Sequence, residues 1–209
     1  MARRTSPLLP CVLAALAASC HGAGGARVSG GARLWVEGPA RWLLTAEEAR
    51  EFRGLSANRE VLEFIEAFWR RRDPTPGDPD NPFRAAFLDR SAAADRLYAE
   101  GDRRGSLTDR GRVLILFGSP SILRYRQKAV PVMGPGRVRK GAEPASRWMN
   151  QEVWVYLPED LPESLLALLP EEERTRELAF VFAVEPRRTY LLEGEKLLEL
   201  AAKAALQPR

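Results

Sequence analysis

At 209 residues the chain is long enough for one sizeable hydrophobic core and shorter than the length at which cores usually split into several. Hydrophobic residues at 45% and charged ones at 29% exclude wholesale disorder and a multispanning membrane protein. The 32 basic and 28 acidic residues give +4, or 30 against 28 and +2 once Arg3 and Arg4 are set aside; the surplus is almost all Arg and is spread along the chain, so no nucleic-acid partner is expected.

Met1-Ala2-Arg3-Arg4 makes a basic start, and residues 8–18 form an apolar run of signal-peptide length, too short for a stable membrane span. Leu16-Ala17-Ala18-Ser19-Cys20 places small residues before a cysteine, as bacterial lipoprotein processing requires, although Ala17 stands where a usual lipobox has Leu. Ordinary cleavage after Ala18 or Ala23 is the alternative. The division expected is a signal peptide over 1–19, a Gly/Ala/Ser-rich flexible tether over 20–33 with lipidation at Cys20, and one folded domain over 34–209. Two or more acyl chains on Cys20, each buried methylene contributing about 0.8 kcal/mol, would hold that domain on a membrane face. Cys11 lies in the leader, so Cys20 would be the sole mature thiol and no internal disulfide is expected.

Within the domain, Thr45-Ala-Glu-Glu48 has capping-box spacing and predicts a short helix. Ser56 or Asn58 caps a second, with Val61, Leu62, Phe64, Ile65, Phe68 and Trp69 as its apolar face, and Asp73-Pro74 ends it. Residues 74–81 read as a stiffened loop, after which Asn81-Pro82 is an N-cap with proline in the first turn. A third helix then presents Phe83, Phe87, Ala94, Leu97 and Tyr98 on one side. Val113–Phe117 is an unbroken apolar run that suits a strand covered on both faces, closed by a turn at Gly118. Glu152–Leu157 and Leu178–Val184 are further strands, Thr189–Leu192 an edge strand, and Glu193–Leu206 a closing helix. Residues 124–147, basic and rich in Gly and Pro, read as a mobile excursion from the sheet. The class predicted is α+β, with N-terminal helices on a small, mainly antiparallel sheet of three to four strands and a C-terminal helix.

Little in this pattern points to chemistry. The only histidine, His21, neighbours the processing site, which excludes Ser-His-Asp and Cys-His catalysis and His-bearing zinc sites. No Gly-Lys-Ser/Thr or GxGxxG opens a helix after a strand, so neither nucleotide nor other cofactor is called for. Glu66, Asp73, Asp89, Asp109 and Glu152 are the acids a carboxylate mechanism would draw on, and none has diagnostic spacing. Arg72-Asp73 and Asp109-Arg110 each set a carboxylate beside a guanidinium at an element boundary. Such pairs make a polar site between the helices and the sheet edge, or simply brace the loops, with Arg72, Arg90 or Arg110 tying the carboxylates together. Trp69, Trp148 and Trp154 are read as core.

Phe64-Ile65-Glu66 running into Phe68–Pro76, Asn81-Pro82-Phe83-Arg84, and Thr108–Pro120 together resemble the GWxTD domain family, exported bacterial proteins named for a Gly-Trp-x-Thr-Asp element before a strand. The likeness covers residues 42–192. It implies a domain of the bacterial envelope with no assigned activity, and picks out Arg72, Asp73, Asn81, Arg84, Thr108, Asp109 and Arg110 as its motif residues. Gly105, Thr108 and Asp109 match the eponymous element, whereas Ser106 replaces its tryptophan. The function expected is therefore a non-enzymatic binding or structural module, lipid-anchored on the periplasmic or outer-membrane face, with an envelope protein as partner. The alternative is a small envelope hydrolase or glycan-active enzyme with Asp73 and Asp109 as paired acids.

Overall fold

A computed structural model describes residues 30–131 and 146–206; the leader, Cys11, Cys20, His21 and most of the tether lie outside the described residues. Seven α-helices and a four-stranded antiparallel sheet make an α+β fold among them. Helix α1 (Gly30–Glu37) takes in Gly30 to Arg33, so the folded part begins inside the stretch expected as tether. Its Trp35 is the reason to pack there: the indole sits 4.9 Å from Phe68 and 6.0 Å from Phe52, ring pairs worth about 0.5–1.5 kcal/mol each beyond simple burial.

Helix α2 (Ala46–Gly54) opens on the predicted capping box, Glu48 N donating to Thr45 Oγ1 at 3.1 Å and Thr45 N to Glu48 Oε2 at 3.0 Å. Helix α3 (Asn58–Arg70) is capped by neither Ser56 nor Asn58: its N-cap is Ala57, and Glu60 Oε2 accepts from Ser56 N and Ala57 N, both at 2.9 Å. The buried face of α3 is Val61, Phe64, Phe68 and Trp69, while Leu62 turns outward. Helix α4 (Pro82–Leu97) starts as predicted at Asn81, whose Oδ1 accepts from Arg84 N at 2.8 Å, and it buries Phe87, Ser91 and Ala94 but leaves Leu97 exposed.

The largest correction concerns Val113–Phe117, which is not a strand. Helix α5 (Asp109–Phe117) runs through it, capped at Thr108 and closed at Gly118. A continuous apolar run suits a helix buried nearly all round as well as a central strand, and here Val113, Leu114, Ile115 and Phe117 are all buried. The predicted strand after the Thr-Asp element thus becomes a central helix between α4 and the sheet.

The sheet is a meander, order β1-β2-β3-β4, built from β1 (Ile122–Pro131), β2 (Ser146–Tyr156), β3 (Leu178–Glu185) and β4 (Arg188–Glu193). Its first two strands correct the mobile excursion: they pair in register from Ile122↔Val155 to Pro131↔Ser146, and residues 132–145 lie outside the described part. The pairing was hidden because β1 is exposed along most of its length, so no apolar run marks it. Trp148 stands out on this arm, 71% exposed rather than in the core. Trp154, Tyr156, Phe180 and Phe182 face the helices, with Phe117 4.7 Å from Phe180; Val153, Val155 and Val181 form a small cluster on the other side. A one-turn helix α6 (Glu163–Leu166) lies in the β2–β3 crossing, and α7 (Glu195–Ala204) closes the chain against α5 and α6. No helix among the described residues is long and apolar enough to cross a membrane.

Candidate functional site

The motif residues divide into two networks that share no hydrogen bond or ion pair among the described residues. In the first, Arg72, its side chain wholly buried at the end of α3, pairs with Glu48: Nη1 reaches Oε1 at 2.9 Å and Nη2 reaches Oε2 at 2.7 Å. The same guanidinium donates to Phe68 O at 3.0 Å and Leu43 O at 2.8 Å, and its carbon lies 3.7 Å from the centre of the Phe68 ring. Arg71 adds a second cation on Glu48 Oε1 at 2.9 Å. Burial by itself raises the Glu48 pKa, but the Arg72 hydrogen bonds, the Thr45 N–H and Arg71 outweigh it and hold the carboxyl below its ordinary value. In the sequence the spacing of Glu48 marks it only as a capping-box acid; in the structure it also holds Arg72.

Asp73 takes no part in that pair. Its Oδ1 accepts from Thr75 N at 3.0 Å and from Thr75 Oγ1 at 3.2 Å, a local turn that braces the proline-rich loop. Asn81 ties the far end of the loop back to α3 by donating to Trp69 O at 2.9 Å. Arg84 stands outside, 3.6 Å from Glu66 and 5.8 Å from the Trp69 ring centre.

The second network surrounds the start of α5. Thr108 is fully buried and both ends of its hydroxyl are used: it accepts from Gly111 N at 3.1 Å and donates to Gly105 O at 2.8 Å. Here the chain passes itself at backbone contact. A Cβ on Gly105 would lie 1.9 Å from Ala94 O of α4, and one on Gly111 would lie 1.8 Å from Gly105 O. Ser106 is wholly buried; its N–H donates to Asp95 Oδ1 at 2.7 Å and its carbonyl accepts from Trp42 Nε1 at 2.9 Å.

Asp109, one residue into α5, reaches the sheet: its Oδ2 accepts from Leu191 N at 2.9 Å. Glu100 does the same two residues earlier on β4, accepting from Thr189 N at 2.9 Å. Between them Arg110 spans Glu152 at 3.3 Å and Glu100 at 3.7 Å, over the Tyr98 ring at 5.0 Å, and Glu152 also accepts from Trp154 Nε1. Burial, and next the Glu152 charge, push the Tyr98 phenol up. The arginines therefore pair otherwise than expected: Arg72 and Arg110 hold Glu48, Glu100 and Glu152 rather than Asp73 and Asp109. Arg90 holds no carboxylate among the described residues.

Asp109→Ala is expected to destabilise the fold by about 1–3 kcal/mol, because it leaves the Leu191 N–H without its acceptor, whereas Asp109→Asn keeps an acceptor oxygen and loses less. Thermal melts of the two variants beside the parent check this; equal, near-zero losses would return Asp109 to the functional acids.

A cleft of about 270 Å³ opens between α4, α5, α6 and α7. Phe83, Phe87, Leu116, Leu165 and Ala201 make much of its wall, which Arg90, Arg72 and Asp73 also line. Asp109 is not part of it, so the two acids of the hydrolase alternative do not share this cleft. Among the described residues no group of three or more His, Cys, Asp or Glu side chains is placed to hold a metal ion. No family model matches the chain, and neither a curated protein nor a solved structure matches it.

Proposed function

We propose that the chain is a non-enzymatic binding or structural module of the GWxTD kind, exported to the bacterial envelope and held on a membrane through an acylated Cys20. The observation that carries the non-enzymatic part is the state of the acids: Glu48, Asp73, Glu100, Asp109 and Glu152 each accept hydrogen bonds from the protein's own frame. A carboxylate mechanism needs two acids facing one substrate across a cleft, roughly 5 to 10 Å apart. The Gly105–Thr108–Gly111 crossing and the Asp109 bond to β4 give the motif a structural reason to exist without substrate. The anchor is read from the sequence around Cys20 alone. Globomycin-sensitive processing and palmitate labelling, both abolished by Cys20→Ala, are the expected results. A mature protein beginning after Ala18 or Ala23 with no lipid would overturn the tether.

A further inference from the structure

The Arg90 guanidinium differs from the two motif arginines described above in having no carboxylate partner among the described residues. Arg72 and Arg110 have carboxylates at hydrogen-bond or ion-pair distance, whereas Arg90, half-buried on α4, makes one long contact, Nη1 to Ile115 O at 3.4 Å. It lies over the chain at Gly118, its Nη2 3.4 Å from where a Cβ there would stand. The nearby Tyr156 hydroxyl is spent on Gly118 O at 2.8 Å and is held neutral by burial. Burial lowers the Arg90 pKa. Asp73, on the cleft wall, has its Oδ1 turned to Thr75, and the charge of Arg72 is already met by Glu48.

We infer that the cleft between α4, α5, α6 and α7 is a binding site for a small apolar monocarboxylate, its carboxylate on Arg90 and its hydrocarbon body against Phe83, Phe87, Leu116 and Leu165. A planar guanidinium with free N–H groups matches a carboxylate in a two-bond fork. One cation supports one negative charge, and the walls offer apolar contact. The cleft, about 270 Å³, falls just below the roughly 300–1,000 Å³ of drug-sized pockets, which limits the body to a short acyl chain or a single ring. This goes beyond the tethered-module reading and stands whether or not Cys20 is acylated.

Saturation-transfer NMR and calorimetry on the purified full-length chain, with hexanoate as probe, test it. Saturable binding with Kd on the order of 1 mM or tighter is expected for eight heavy atoms. Arg90→Gln should weaken it about tenfold or more, the loss of one charge-assisted fork. Ala86→Phe, on the exposed rim of the cleft, should weaken it similarly while keeping Arg90, so a folding defect in the first variant does not end the test. Acetate and 1-hexanol, carrying the charge and the body separately, should each bind at least tenfold less tightly. No saturable hexanoate binding up to ~10 mM, unchanged affinity in both variants, or equal binding of acetate or hexanol would overturn the assignment.

Discussion

Arg72→Ala is expected to remove about 3 kcal/mol of folding stability, because it leaves the buried Glu48 carboxylate with only the half-exposed Arg71 as counter-cation and empties the stack on Phe68. The pair joins three parts of the chain: the start of α2, the end of α3 and the carbonyl of Leu43. Replacing both partners, Glu48→Gln with Arg72→Met, should cost less than Arg72→Ala alone, since Gln still serves the capping box and the one charge left unpaired, Arg71, is half exposed to solvent. The pair also carries a pH dependence. Glu48 has a folded-state pKa below its unfolded value, so its contribution is complete above the ordinary carboxylate range and is lost as pH falls through the lowered folded value. Urea titrations at several pH values should show Glu48→Gln losing part of that acid-side slope. Parent-like stability of Arg72→Ala at neutral pH would show that the pair does not hold the helices together.

Gly111→Ala should be comparably damaging. Its methyl group would fall 1.8 Å from Gly105 O, and because the obstacle is main chain, no rotamer change relieves it; the turn over Gly105–Leu107 has to move away from α5. The loss is expected at or beyond the upper end of the about 1–3 kcal/mol typical of overpacking. Gly54→Ala is the control, with nothing within 4 Å of its Cβ and a helical position, and it should be neutral or stabilising by up to about 1 kcal/mol. Thermal melts that place the two variants together would refute the crossing argument.

Much of the helical part of this fold is legible from local chemistry. Thr45 with Glu48, and Asn81 with Pro82, announce their helices because caps act within one turn. The same kind of signal stood at Thr108-Asp109, a capping residue followed by an acid in the first turn, but the apolar run behind it reads equally as a strand. The arm of β1 was illegible for the opposite reason, having hardly any buried face to imprint a period. Of the site, Arg72 and Asp109 were singled out by position, while their true partners, Glu48 and the Leu191 N–H, lie 24 and 82 residues away. Distance in sequence of that order leaves no pattern in one chain.

The two carboxylates on β4 bear on assembly. As the last strand of the sheet, β4 would offer its free amides to any extended segment, yet Glu100 and Asp109 occupy those of Thr189 and Leu191 in alternation. Both acceptors come from the protein's own chain. A strand exchanged with a neighbouring molecule, or borrowed from a peptide, therefore meets two occupied amides on β4, a barrier that the opposite margin along Ile122–Pro131 does not share among the described residues.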